Sequence, residues 1–461
     1  MKVDPASFRD PSGRVYESDG VILRSINASY LEDWRAAENC GLLAESVARG
    51  WLPAFHETSP PQPSAAIGLE VEKIPFISYP YEWSFSQLKD AAKLTLDLHL
   101  AALEKDMILK DASAYNVQFV GCSPKFIDML SFERRREGAP WPAYRQFCMH
   151  FLAPLALCRY LGLWAGTHSK LRTDGVPLSH AAAMLPLKAR LRPGLALHIF
   201  AHAAMEKRHA DARKTVDKVR RIRMGKKELV NLALALRYLV EGMTLPAAST
   251  QWGGYYDDTN YSERAFACKQ RLVEEAARQT ADKRAVAMDL GANTGVFSAL
   301  MAPHFAVVLA PDVDPLAVEL HYASLRGSRA SNILPLILDL SNPSPSLGWD
   351  CTERKSFPDR CKAKLITALA LIHHLVLTEG VPFTLLAPFF HNLLDDDGTL
   401  LLEFVPEDDS QVRRMTAIRT DSLAGYSLEA MRLAFADFFH EVRQEPVEDS
   451  KRILFTYRKK G

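Results

Sequence analysis

Apolar residues recur at helical spacing in Leu88, Ala92, Leu96, Leu100 and Leu103, which predicts a helix with one buried face. A second helix is expected around Leu31 to Ala48. Short strand-like runs, Val21-Ile22-Leu23 and Lys73-Ile74-Pro75-Phe76-Ile77, accompany them, and the proline-rich stretch from Thr58 to Ser64 reads as an exposed loop. From about 140 to 245 nearly every segment is compatible with helix. The most apolar, Phe151 to Ala165, contains Pro154 and Arg159 and falls short of the ~20 apolar residues of a spanning helix. It reads as a buried helix of a soluble domain, with no transmembrane segment expected.

From Ala285 the pattern becomes strand, helix, strand, helix. Strands are expected at Ala285 to Asp289, Ala306 to Ala310, Asn332 to Leu338, Leu365 to Leu371, Thr399 to Val405 and Arg452 to Tyr457. Such alternation predicts a mostly parallel sheet covered on both faces, and runs such as Val307-Val308-Leu309-Ala310 suit strands buried on both sides. Ser249 to Tyr261, rich in Gly, Asp, Asn and aromatics, marks a boundary between a domain at 1–245 and a domain at 246–461.

Composition narrows the classes. A chain of 461 residues with 48% hydrophobic and 24% charged residues has cores for two or three domains, which excludes a disulfide-stapled miniature and wholesale disorder. With 56 Lys and Arg against 55 Asp and Glu there is no global field for nucleic acid or an acidic membrane, so nucleic acid is disfavoured as a partner. Seven scattered cysteines form no C-x-x-C pair, and the start, Met1 to Pro5, has no secretory apolar core; both fit a reducing cytoplasm.

The strongest chemical signal runs from Val286 to Ser298. A buried strand ends in Asp289, and a turn containing Gly291, Asn293 and Gly295 starts a helix. Gly291 admits a ligand close to the backbone, Gly295 lets the helix begin tight against the sheet, and free N–H groups of the turn can take a carboxylate or phosphate. Asn293 stands where a dinucleotide fold would need its second glycine, which disfavours NAD or FAD. Asp312 and Asp339 then end the next two strands, where one carboxylate can take ribose hydroxyls and the other an adenine amino group. An adenosine without a phosphate chain fits; Asp314 either caps the helix opened by Pro315 or touches the ligand.

On Asp289, Gly291, Gly295 and Asp312, residues 250–461 resemble the S-adenosylmethionine-dependent methyltransferases of Rossmann-like fold. The resemblance implies a mostly parallel seven-stranded sheet whose last strand is antiparallel, formed by a hairpin at Glu441 to Arg458. It also implies S-adenosylmethionine as cofactor, with its methionine half at the turn, its ribose on Asp312 and its adenine on Asp339.

The expected fourth strand runs into His373-His374, and the fifth ends at Glu403. A histidine there can accept a proton from a hydroxyl, and the Asn-Pro-Pro-aromatic motif that the resemblance would imply for amide or adenine nitrogen is not at that place, so methylation of a small molecule or glycan is expected at oxygen, or at carbon activated by a neighbouring oxygen. The alternative is that one histidine of the pair packs and the other caps or contacts the cofactor; Glu403 is a further candidate, as base or as a residue orienting substrate or histidine. Trp252, Tyr255, Tyr256 and Tyr261 lid the cofactor, stack on a sugar or aromatic acceptor, or pack in the core.

In the first half, Asp111, Asn116 and Asp128 repeat the D-x-x-x-x-N then D order of kinase catalytic loops. The spacing resembles the protein-kinase and antibiotic-phosphotransferase fold, implying an α+β kinase-like domain with a helical second lobe and Mg-ATP held through Asn116 and Asp128. Departures are the missing glycine loop, Arg24 in place of the strand lysine and no histidine before Asp111, so a degenerate or binding-only domain is expected, with a chance match of the motif as the alternative. Together with Tyr79-Pro80-Tyr81-Glu82-Trp83, the two halves also resemble bacterial nodulation-associated methyltransferases. Lys207 to Lys227, with ten Lys or Arg, reads as a solvated surface helix or an RNA contact. A non-catalytic nucleotide- or S-adenosylmethionine-binding scaffold and an RNA methyltransferase are the rival functions.

Overall fold

Residues 1–162, 168–208, 223–245, 262–326, 332–417 and 425–461 are described by a computed structural model. They fall into two units, Met1–Ala248 with Leu347–Arg354, and Ser249–Ser346 with Lys355–Gly461.

The first unit opens with an antiparallel five-stranded sheet of β1 (Lys2–Val3), β2 (Val15–Ser18), β3 (Val21–Asn27), β4 (Phe55–Thr58) and β5 (Ala65–Val71), in the order β1-β2-β3-β5-β4. The run Lys73 to Ile77 is loop, not strand; Pro75 has no N–H for a ladder, although Ile74 and Phe76 are buried. The expected helix over Leu31 to Ala48 is two, Leu31–Asn39 and Leu42–Ala48, because Gly41 at φ 75° turns the chain left-handed between them. Helix Phe85–Glu104 starts at a capping box, with Gln87 N–H donating to Ser84 Oγ and Ser84 N–H to Gln87 Oε1. Leu94 and Leu98 are buried beside the expected stripe, so the helix is core on most of its circumference.

Beyond it, β6 (Met107–Leu109) pairs with β9 (Phe132–Arg134), and β7 (Val117–Val120) with β8 (Ser123–Phe126). A helical region follows, including Ala153–Leu161, Leu178–Met184 and Lys226–Glu241. The apolar stretch ends its helix at Leu161, where Gly162 takes φ 112°. Among the described residues no helix is long and apolar enough to cross a membrane.

The second unit is a seven-stranded sheet: β10 (Asp282–Leu290), β11 (Phe305–Asp312), β12 (Ile333–Ile337), β13 (Ala363–Ala368), β14 (Leu394–Phe404), β15 (Phe439–Pro446) and β16 (Ile453–Lys459). Their order is β12-β11-β10-β13-β14-β16-β15. The pairs from β12 to β14 are parallel, while β16 runs antiparallel to both β14 and β15, as the resemblance implied. Ala287, Val308, Leu365 and Leu401 of the sheet pack with Leu272, Val273 and Ala276 of helix Glu263–Gln279. The strand order reverses at β10, and in open α/β sheets ligands bind outside the carboxyl ends of the strands at such a point.

Candidate functional site

At the carboxyl end of β10, Asp289 faces into the domain. Its Oδ2 accepts from Ser298 Oγ at 2.6 Å and its Oδ1 from Thr367 Oγ1 at 2.7 Å, so it ties the start of helix Val296–Met301 and strand β13 to β10. Burial pushes this carboxyl up, with the hydroxyl bonds opposing. The contribution of Asp289 is therefore to hold the turn in shape.

The turn takes φ 76° at Gly291, 49° at Asn293 and 83° at Gly295. The N–H groups expected to be free are committed. Gly291 and Ala292 donate to Pro311 O, Asn293 to Asp312 Oδ2 at 2.8 Å, Thr294 to Asn293 Oδ1 and Gly295 to Ala292 O. A Cβ on Gly295 would stand 1.9 Å from His321 Nε2, so its tight fit is against the ring of the next helix, Pro315–Leu325. His321 is buried, its Nδ1 has no hydrogen-bond partner among the described residues, and burial lowers its pKa to about 4.

Asp312 ends β11 and accepts one N–H on each oxygen, from Asn293 and from Asp314, both at 2.8 Å. Burial, partly offset by these bonds, raises its pKa to about 6. Each oxygen keeps a lone pair, which fits the two hydroxyls of a ribose. Asp314 is a cap, its Oδ1 accepting from Leu316 N–H at 2.8 Å. Asp339 is exposed after β12, where its carboxylate takes the N–H and hydroxyl of Ser341; Leu338 beside it donates to Asp312 O.

Strand β13 stops at Ala368, short of the expected Leu371. Ala370 adopts φ 47°, a left-handed conformation costing a non-glycine residue about 1 kcal/mol, and its N–H donates to Glu403 Oε2 at 2.7 Å. Glu403 is fully buried, with Lys269 Nζ at 2.7 Å and Arg452 Nη1 at 3.5 Å, while Arg452 Nε also donates to Asp409 at 2.9 Å. Burial would raise the Glu403 carboxyl, but Lys269 and Arg452 outweigh it and hold it below its ordinary value. Glu403 is thus a carboxylate committed to an ion cluster, not an available base.

His373 is buried, and His374 is half-buried with its ring centroid 4.2 Å from that of His373. Burial, then the neighbouring His374, takes His373 well below its usual pKa; burial, then Arg452, takes His374 to about 4. Both are neutral at pH 7. Lys269 escaped sequence reasoning although it lies on the buried face of its helix with Ala265, Leu272 and Val273, a position where a lysine needs a partner. Ser298, Thr367, His321 and Arg452 gave no such signal.

In the first unit Arg24 lies against Asp128 and, at 3.2 Å, Asp10. Ser131 Oγ donates to Asp128 Oδ2, and Asn116 Nδ2 lies 3.5 Å from Ser131 Oγ. Asp111, raised by burial and by Asp128, accepts from Ser113 N–H at 2.9 Å. Among the described residues no three metal-ligating side chains converge. A guanidinium already compensates Asp128, so Asn116 and Asp128 do not fit the magnesium of Mg-ATP. Most of the basic segment Lys207 to Lys227, and Trp252, Tyr255, Tyr256 and Tyr261, lie outside the described residues.

No protein-family model matches the chain. Over 460 residues it is 33% identical to the Nodulation protein NoeA of Rhizobium meliloti (strain 1021), covering 98% of this chain and 95% of the relative. Among solved structures, it is similar to the N-methyltransferase NodS from Bradyrhizobium japonicum WM9 in complex with S-adenosyl-L-homocysteine, 15% identical over 46% of this chain and 94% of that one, with a TM-score of 0.34. The magnesium protoporphyrin IX methyltransferase from Synechocystis PCC 6803 with bound S-adenosylmethionine is 14% identical over 47% of this chain and 87% of that one, with a TM-score of 0.30.

Proposed function

The chain belongs to the family of the nodulation protein NoeA, and from that premise we propose that its second unit binds S-adenosylmethionine and transfers the methyl group to a hydroxyl of a small molecule or glycan. The observation that carries this is the junction of β10 and β11 at the reversal of strand order, where the Asn293 N–H meets Asp312 Oδ2 at 2.8 Å. That bond fixes an ionisable carboxylate beside a left-handed, glycine-flanked turn.

S-adenosylmethionine supplies an electrophilic methyl on a sulfonium. In this reading Asp312 takes the ribose hydroxyls, Asp339 the adenine amino group, and the backbone at Gly291 and Asn293 lines the methionine half. Asp289 holds the turn from behind. His373 and His374, neutral at pH 7, can accept a hydroxyl proton, but burial makes them weak bases, so rate enhancement rests mainly on positioning. The first unit, an α+β kinase-like domain in this reading, binds acceptor or nucleotide without a metal ion and without phosphoryl transfer.

A second reading, a binding scaffold without turnover, draws on the burial of His373 and Glu403. Calorimetry with S-adenosylmethionine and S-adenosylhomocysteine tests the common premise. Mass spectrometry of candidate hydroxyl acceptors then separates the two: a gain of one methyl supports the enzyme, and binding without any methyl gain supports the scaffold.

A further inference from the structure

We propose that Glu403 is a positioning residue, whose carboxylate holds Ala370 in its left-handed conformation and thereby sets Leu371 over Gly291. The inference rests on the methyltransferase reading and deepens it by naming what shapes the cofactor side of the site.

Three observations converge on it. First, Ala370 has φ 47°, where an L side chain crowds its own backbone, so something must hold it there. The visible restraint is the 2.7 Å bond from its N–H to Glu403 Oε2. Second, that acceptor is itself immobilised. Lys269 Nζ lies 2.7 Å from the same oxygen, Arg452 Nη1 lies 3.5 Å from Oε1, and Asp409 takes the rest of the Arg452 fork. Two cations and two carboxylates thus balance within the buried cluster, and its members come from helix Glu263–Gln279, β14, the residue before β16 and the residue before helix Ser410–Thr416.

Third, the restrained residue leads directly into the wall of the candidate site. A Cβ built on Gly291 would lie 3.4 Å from Leu371 Cδ1, so Leu371 lies directly against the turn on which the methionine half would rest. His373 and His374 follow within three residues. A shift of Ala370 to the ordinary right-handed region would redirect the chain at Leu371 and move both the cover over Gly291 and the histidines behind it. The ion cluster therefore acts on the site through one backbone N–H, and Glu403 need touch no ligand.

The test uses S-adenosylhomocysteine binding by calorimetry on the full chain, with circular dichroism and thermal unfolding alongside. Lys269→Met with Glu403→Leu removes the tether together with its partner charge, and S-adenosylhomocysteine affinity should fall at least roughly tenfold in the folded protein. Adding Ala370→Gly to that pair should recover most of the loss, because glycine takes the left-handed conformation without help. A purely structural role would lower the unfolding temperature without giving this rescue. Lys269→Met with Glu403→Gln keeps an oxygen for the Ala370 N–H and should bind as the wild type does. The proposal is overturned if the folded Leu variant binds normally, or if its loss is indifferent to Ala370→Gly. Should the Leu variant not fold, a tenfold loss in the folded Gln variant overturns it, and near-wild-type binding there sustains it. A wild type that binds neither S-adenosylmethionine nor S-adenosylhomocysteine instead removes the methyltransferase reading, and the proposal with it.

Discussion

Gly295 and His321 are packed so closely that a Cβ on the glycine would stand 1.9 Å from the imidazole Nε2. The glycine is also at φ 83°, so two separate penalties attach to any side chain there. Gly295→Ala should cost roughly 2 to 5 kcal/mol of stability, from the left-handed backbone and from displacement of the ring. Adding His321→Ala should return the steric part and leave the backbone part. Thermal unfolding of the second unit checks this, and a Gly295→Ala protein that melts with the wild type would show that the two residues are not in contact.

Asp312 is expected to make cofactor binding depend on pH. Its folded pKa of about 6 lies above its ordinary 3.8, so its contribution to stability is full below pH 3.8 and is lost as pH rises through about 6. The carboxylate that accepts ribose hydroxyls forms over the same range, so affinity for S-adenosylhomocysteine should rise through pH 6 and level off above it. Asp312→Ala should bind about 10- to 100-fold more weakly at pH 8, where a charge-assisted bond is worth ~1.5 to 3 kcal/mol. An unchanged affinity in a folded variant would take Asp312 out of the site.

The second unit was legible because strands buried on both faces write themselves as apolar runs, such as Val307 to Ala310. The same rule misplaces a boundary where a strand opens on polar residues: β14 pairs at Leu394, passes through Asp395, Asp396 and Asp397 at an irregularity, and resumes pairing at Thr399. In the first unit, β5 is interrupted by Gly68 and Glu70 and shows no continuous apolar run, and the apolar run after it is loop, since burial of Ile74 and Phe76 needs no ladder. At the site, the order of Asp289, Gly291, Gly295 and Asp312 is local and could be read. The duties of Asp289 and Glu403 depend on Thr367, Lys269 and Arg452, which are 49 to 134 residues distant in sequence, and no spacing rule reaches them.

The buried His321 and the half-buried His374 should make the second unit acid-sensitive above the ordinary range of carboxylates. His321 and His374 are lowered from 6.5 to about 4, chiefly by burial. A group depressed in this way contributes stability that is present above its unfolded value near 6.5 and is lost as pH falls through about 4. His321→Gln, neutral at every pH, should therefore show a weaker fall in unfolding temperature between pH 6.5 and 4 than the wild type. Parallel curves would mean that His321 already charges freely in the fold.

In the first unit, Arg24 stands as the cation that a magnesium ion would otherwise supply to Asp128. Millimolar ATP should therefore give no magnesium-dependent thermal shift, although any ligand confined to the folded state would raise stability by mass action. Arg24→Met leaves a part-buried carboxylate without its cation and should cost roughly 1 to 3 kcal/mol, whereas Arg24→Met with Asp128→Asn, which removes both charges of that pair, should recover most of it. The two side chains are 10% and 17% exposed, enclosed enough for the unpaired charge to matter more than the lost surface attraction. A magnesium-dependent shift that disappears in Asp128→Ala would mean that the guanidinium gives way to the metal, and would return Asn116 and Asp128 to the role their order in the sequence suggests.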